Sequence, residues 1–354
     1  MRARGPGGER AQPGRLALSD LLDVELEAVE GLEDMAGAEA GALATNAVEP
    51  IVRERAVTVC VSSLDGLVSL QCPVAAYVVV SRSGAKPTVL VGDSSLVDAC
   101  ALVLGSHPDG TFATFGIDMP GRDSPAARRI RDAIVDRTGL RYEKERGQLL
   151  VRCRRSKDGW QALVRLTPKP LSTRPWRTRS VQGAVNACIA ASMVRMLEPS
   201  ADDVFLNLMC GSGTIAIERA LAGQAKRIVA ADIVGAMTEI TLEHAQAAGV
   251  SDRIEVLEDD ALGSSFPDAT FDRLAAVLPY GFRIGSHGEN VSAYPAMLGE
   301  TARISAPGAR FALLTQELKL LEETIESQRE WRRTESRRIW QGGHRPNLVL
   351  LERG

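Results

Sequence analysis

Leu18, Leu21, Leu22, Leu26, Val29 and Leu32 recur at the three- and four-residue spacing of an amphipathic helix. Ser19 or Asp20 can cap its start, so the spacing predicts a helical stretch over residues 17–49. Val57–Ser62 alternates apolar and polar residues, and Val74–Ser81 is a continuous apolar run with β-branched residues; both read as strands. A helix is predicted over Ser94–Leu104 and a strand over Thr111–Ile117. Asp123 or Ser124 before Pro125 marks a helix start, and Gly139 closes that helix, Ala126–Thr138. Gln148–Cys153 and Trp160–Leu166 are predicted strands about the turn Lys157-Asp158-Gly159.

Pro168, Pro170 and Pro175 then interrupt both periodicities, which marks a linker, drawn at residues 169–180. Beyond it strands and helices alternate. Helices are predicted over Asn186–Leu197, Thr214–Ala222, Ala236–Ala248, Val291–Ile304 and Gln316–Ser327. Strands are predicted over Asp203–Met209, Arg227–Ala231, Arg253–Leu257, Phe271–Val277 and Arg310–Thr315. Trp331–Trp340 and Asn347–Glu352 read as a closing antiparallel pair. This order implies an α/β fold with a doubly wound, mostly parallel sheet, in which ligands bind beyond the carboxyl ends of the strands.

Length and composition add limits. The chain has 354 residues, 45% of them hydrophobic and 25% charged, which fits two or three folded domains. No apolar run approaches the ~18 residues that cross a bilayer, so no membrane partner is expected. Residues 1–16 are polar and lack the apolar core of a secretory signal; they read as a disordered tail. The six cysteines form no Cys-x-x-Cys pair and no zinc spacing with the four histidines, so buried reduced thiols and no metal site are expected. A cytoplasmic monomer is the resulting expectation.

Charge changes the picture more. The formal net charge is −3, yet residues 121–180 hold 17 Lys/Arg against 6 Asp/Glu. Such a concentration fits either a polyanion site, of which nucleic acid is the usual case, or a solvated arginine-rich face. Trp176 in the linker could stack on a base or pin the linker to a domain surface.

The candidate chemistry sits after the linker. Asp203–Met209 runs into Cys210-Gly211-Ser212-Gly213-Thr214, where glycines permit close backbone approach and a helix start offers free N–H groups. Asp232 ends the next strand, placed for two ribose hydroxyls, with Ile233 beside it. Asp260-Ala261 follows the third strand, where the carboxylate could accept from an adenine amino group. Gly211–Ala216 also satisfies the G-x-G-x-x-A dinucleotide fingerprint. The third-strand acid and Leu278-Pro279-Tyr280-Gly281 after the fourth strand favour S-adenosylmethionine over a nicotinamide cofactor, although Pro279-Tyr280-Gly281 also reads as a plain turn.

These residues resemble the THUMP-domain RNA methyltransferases that make N2-methylguanosine in tRNA, and the related ribosomal RNA enzymes. Asn207–Glu218 is similar to the family's (D/N)-P-x-C-G-S-G-T run and its Ile-Glu helix, and Val185-Asn186-Ala187 resembles a segment beside the cofactor. Glu30-Gly31-Leu32-Glu33-Asp34 and Ser124–Leu166 resemble the N-terminal opening and the RNA-gripping half of a THUMP domain. The resemblance implies a ferredoxin-like part at residues 17–65, a THUMP-like RNA-binding domain at 66–168 and a class I, Rossmann-like seven-stranded methyltransferase domain at 181–354. It implies S-adenosyl-L-methionine held by Asn207, Cys210, Gly211, Ser212, Gly213, Thr214, Asp232, Ile233, Asp260 and Ala261. Tyr280 would stack on a flipped base beside Leu278 and Pro279, and Arg128, Arg129, Arg152, Arg154, Arg155, Arg174 and Arg177 would meet RNA, above all tRNA. The sequence departs from the family's (N/D)-P-P-(Y/F) motif at Val277, which cannot accept a hydrogen bond from the target amine, and at Leu278. That departure keeps open a relative that binds RNA without catalysis, beside an enzyme acting on rRNA.

Overall fold

The computed structural model describes residues 21–43, 51–145, 147–279 and 287–354. The N-terminal part contains β1 (Leu22–Glu27), α1 (Glu33–Gly41), β2 (Ile51–Arg53), β3 (Ala56–Val61), β4 (Ala75–Ser83), α2 (Ser95–Gly105), β5 (Thr114–Asp118), α3 (Pro125–Thr138), β6 (Arg141–Tyr142), β7 (Leu149–Arg155) and β8 (Gly159–Arg165). They form one eight-stranded sheet in the order β2-β3-β1-β4-β8-β7-β5-β6. The parts expected on either side of residue 65 therefore share a sheet, because β1 pairs with β3 along one edge and with β4 along the other.

The helix predicted over 17–49 is corrected here; its residues 17–20 and 44–49 lie outside the described residues. Residues 22–27 are a strand, and only Glu33–Gly41 is helical. Val24 and Leu26 point into the core while Asp23, Glu25 and Glu27 take the opposite face, a two-residue alternation. Along that second face Arg154 pairs with Glu25 at 2.5 Å, Arg152 with Glu27 at 3.4 Å, and the Arg152 guanidinium lies 5.2 Å from the Tyr77 ring centroid. The other face is apolar and is covered by α2 and α3. Helix α3 starts where its sequence demands: Ser124 Oγ accepts the Ala127 N–H at 3.2 Å, Pro125 follows, and Gly139 closes it at φ +69°. Ala127, Ile130 and Ile134 are buried, leaving Arg128 and Arg129 in solvent.

The C-terminal part runs α4 (Ala187–Met196), β9 (Val204–Asn207), α5 (Thr214–Leu221), β10 (Arg227–Asp232), α6 (Gly235–Ala247), β11 (Glu255–Glu258), β12 (Phe271–Val277), α7 (His287–Ile304), β13 (Ser305–Thr315), α8 (Leu318–Gln328), β14 (Trp331–Arg338) and β15 (Asn347–Arg353). Its seven-stranded sheet has the order β11-β10-β9-β12-β13-β15-β14, parallel except that β15 is antiparallel to both neighbours. Phe205, Ala275 and Leu314 face α4 and α5, whereas Leu206, Leu274 and Leu313 face α7 and α8; both faces are therefore dry. Strand order reverses between β9 and β12, which opens a crevice beyond their carboxyl ends.

The two sheets are bolted together. Glu218 of α5, fully buried, meets Arg174 at 2.7 Å; Gln71 Nε2 donates to the same carboxylate at 2.7 Å. Burial works against the Arg174 charge, but the carboxylate beside it more than offsets that and holds its pKa above the ordinary guanidinium value. Glu39 of α1 accepts the Gln71 and Cys72 N–H groups and pairs with Arg195 of α4 at 2.8 Å.

Candidate functional site

Strand β9 ends at Asn207, buried beneath the crevice. Its Nδ2 donates to the carbonyls of Leu208 and Ala275 at 3.1 and 3.2 Å. Its Oδ1 is buried and has no hydrogen-bond partner among the described residues. The chain then turns sharply. Cys210 N donates to Ala231 O and Gly213 N to Cys210 O, at 3.0 and 2.9 Å. Met209, Gly211 and Gly213 all have positive φ, of 46°, 55° and 74°. A non-glycine residue in that region stores strain of ~1–3 kcal/mol, which is common at functional sites. At Gly213 glycine is required twice, since a Cβ would also stand 2.5 Å from Thr241 Cγ2.

Asp232, at the end of β10, organises this loop. One carboxylate oxygen accepts the Gly211 N–H at 2.8 Å and the other the Val234 N–H at 3.0 Å. A carboxylate has about four acceptor positions, so capacity remains for a ligand. His244 of α6 supports the loop from behind. Its Nε2 accepts the Arg179 N–H, which makes Nδ1 the donor to Ser212 O at 3.1 Å. The Cys210 thiol is buried and pushed up to about 12 by desolvation, which excludes a thiolate nucleophile at neutral pH.

Opposite this loop, β12 delivers Val277, Leu278 and Pro279. Leu278 N donates to Leu314 O at 2.9 Å. The Pro279 carbonyl accepts two donors from α7, Asn290 Nδ2 at 3.0 Å and the Tyr294 hydroxyl at 3.1 Å. Burial pushes the Tyr294 phenol up to about 12, so it remains a donor at neutral pH. A third wall comes from the β14–β15 hairpin. Gln341 and His344 exchange two 2.9 Å backbone hydrogen bonds across Gly342 and Gly343, both at positive φ. Gln341 Oε1 is buried and has no hydrogen-bond partner among the described residues. These walls enclose a cavity of about 520 Å³, lined by Asn207, the 209–212 loop, Asp232, Ile233, Val277–Pro279 and the hairpin turn. Its size and its apolar walls with few polar groups are those of a small-molecule site.

The cavity thus gathers most of the expected cofactor residues: Asn207, Cys210, Gly211, Ser212, Thr214, Asp232 and Ile233, with Gly213 turning the loop into α5. Asp260 and Ala261 do not line it. Asp260 is exposed and its Oδ1 accepts the Leu262 N–H at 2.9 Å. Leu278 and Pro279 stand in the wall, and Tyr280 lies outside the described residues.

Two of the expected RNA contacts are corrected. Arg174 is buried on Glu218, and Arg177 turns inward to Thr214 Oγ1 at 2.8 Å and to Val185 O. Trp176 is 5% exposed and packs in the core of the C-terminal sheet rather than waiting for a base. Arg152 and Arg154 are half-buried in the ion-pair ladder, whereas Arg128, Arg129 and Arg155 are exposed. Asn290, Tyr294, His244 and Gln341 were not legible as site residues. They come from distant segments, and only Gly342-Gly343 between two strands hinted at a hairpin there.

The family model for the RMKL-like methyltransferase domain (UPF0020) matches residues 174–347. The tRNA (guanine(6)-N2)-methyltransferase of Thermus thermophilus is 30% identical over 241 residues, which span 67% of this chain and 70% of that protein. The tRNA (guanine(6)-N(2))-methyltransferase THUMP3 of Mus musculus is 29% identical over 184 residues, 48% of this chain and 36% of that longer protein. Among solved structures, TrmN from Thermus thermophilus shares the fold over 94% of this chain and 100% of its own, with a TM-score of 0.74 at 23% identity.

Proposed function

The chain belongs to the methyltransferase family of these relatives, and from that premise we propose that it is an S-adenosylmethionine-dependent RNA methyltransferase that forms N2-methylguanosine in tRNA. The observation that carries this reading is the cavity itself. It joins an aspartate-anchored glycine loop to the end of β12 at the point where strand order reverses.

The residues present fit the methyl donor. Asp232 holds the glycine loop open and keeps acceptor capacity for ribose hydroxyls. Ile233 and Val234 offer an apolar wall for an adenine ring. When bound, S-adenosylmethionine would supply a methyl on a cationic sulfur as the electrophile, and Asp232 with the 209–212 loop would hold it there. The protein's work is then alignment and exclusion of water. Leu278 and Pro279 give the target base a rigid apolar floor, because α7 clamps the Pro279 carbonyl. The exposed Arg128 and Arg129 of α3, with Arg155, give the N-terminal sheet a cationic edge for RNA phosphates.

A methyl-transfer assay tests this. Purified protein, methyl-labelled S-adenosylmethionine and unmodified bulk tRNA should yield labelled N2-methylguanosine after digestion. Label in another nucleoside would overturn the acceptor assignment. An absence of label from protein that binds both ligands would favour a non-catalytic RNA-binding relative, the reading for which Val277 speaks.

A further inference from the structure

A base that enters the cavity leaves its phosphates at the rim, because an anion is not carried into a mostly apolar pocket without a cation. Among the described residues no Lys or Arg lines the cavity, while Asp232 does. Cations for those phosphates therefore belong around the mouth. Arg345 lies in the chain between His344 and Pro346, both of which line the cavity. Its guanidinium pairs with Glu30 Oε1 at 3.2 Å. Arg55, in the two-residue turn between β2 and β3, reaches the same carboxylate from the N-terminal part: its Nε and Nη2 donate to Glu30 Oε2 at 3.1 and 2.9 Å. The two guanidiniums lie 5.6 Å (Arg55) and 5.5 Å (Arg345) from the Trp340 ring centroid, within cation–π reach. The backbone beneath them is fixed: Trp340 N donates to Glu30 O at 3.2 Å, Ala28 N to Arg55 O at 2.8 Å and Arg55 N to Glu33 Oε1 at 2.9 Å. About half of each arginine side chain nonetheless stays in solvent, 50% for Arg55 and 49% for Arg345.

We propose that Arg55 and Arg345, oriented by Glu30 and Trp340, form a phosphate clamp for the RNA backbone beside the cavity. This rests on the RNA methyltransferase reading above. One carboxylate shared by two guanidiniums leaves donors on both uncommitted. Exposed ion pairs contribute little to stability. Glu30 thus aims the two forks without retaining them, and a phosphate oxygen pair matches the fork geometry as well as a carboxylate does. The place is set by the hairpin, which is at once a wall of the cavity and a contact to the N-terminal part. An RNA held on the N-terminal sheet with one base in the cavity spans both parts, and this hairpin is where they meet at the cavity. The clamp reads no base; it sets where the strand lies.

The test compares wild type with Arg55→Gln, Arg345→Gln, the double variant and Glu30→Gln. Each is read by filter binding of bulk tRNA across a salt series, by calorimetry with S-adenosylhomocysteine and by urea unfolding. Each arginine variant should weaken tRNA binding severalfold and lower the slope of log affinity against log salt by about one, and the double variant by about two. S-adenosylhomocysteine affinity and the urea midpoint should stay at wild-type values. Glu30→Gln removes the competing charge but keeps an oxygen for the Arg55 fork, so it should bind tRNA at least as tightly as wild type. A brace between the two parts would instead suffer from either side of the ion pair. Glu30→Gln that loses as much tRNA affinity as the arginine variants, or a double variant with wild-type affinity and slope, would therefore overturn the clamp alone. A wild type that binds no tRNA would overturn the underlying RNA reading as well.

Discussion

Asp232 spends both carboxylate oxygens on backbone N–H groups and still faces the cavity. Replacing it with alanine removes two charge-assisted bonds and the ribose acceptor together. We expect Asp232→Ala to weaken S-adenosylhomocysteine binding at least tenfold by calorimetry, while denaturant unfolding stays cooperative; unchanged affinity would displace the ribose site from β10. This residue was legible because a strand end, a glycine turn and an acid one strand later form a local pattern. Gln341 was not, since nothing in its neighbourhood distinguishes it until the β14–β15 hairpin turn joins the cavity wall. Asp260 follows the third strand as expected and is exposed, with its Oδ1 on the Leu262 N–H.

Among elements, α5 does two jobs. Its first turn begins at the glycine loop, and one turn on it sends Glu218 into the junction with Arg174 and Gln71. Breaking a buried pair from one side costs ~3–5 kcal/mol, because the other charge is left unpaired, whereas replacing both partners with apolar residues costs far less. Glu218→Ala should therefore lower the urea midpoint more than Glu218→Leu/Arg174→Met does. A double variant at least as unstable as the single one would show that the pair is not the source of the effect. Elements were most legible where they bury both faces: the apolar runs of β9, β10, β12 and β13 admit few readings. β1 was misread because leucines at 18, 22 and 26 satisfy a helical period, while Leu22, Val24 and Leu26 equally satisfy a strand period. The partners that decide between them, β3 and β4, lie further along the chain on either side of β1 in the sheet.

At the scale of the whole molecule, the cationic excess of residues 121–180 divides by location. Part of it is consumed internally by Glu25, Glu27 and Glu218, and part stands free on α3. Only the exposed part can release counterions from RNA. Arg128→Gln and Arg129→Gln should each weaken tRNA binding and lower the slope of log affinity against log salt by about one, with S-adenosylhomocysteine affinity unchanged. Filter binding across a salt series measures this, and an unchanged slope would move the RNA footprint off α3. The linker illustrates why the footprint was overdrawn from sequence: arginines beside prolines look solvent-facing, yet the junction needs Arg174 to pair with the fully buried Glu218 carboxylate.

The position of β15 between β13 and β14 has a consequence during synthesis. A ribosome makes β13 well before residues 347–353, so one edge of that strand, with Phe311 and Leu313, must wait open while residues 316–346 are added. Strand β14 waits too, since among the described residues it pairs only with β15. An open apolar edge is a template for pairing with other chains. A chain that ends before residue 347 should therefore leave that edge open for good, give less soluble protein than the full chain, and leave β14 without its pairing strand.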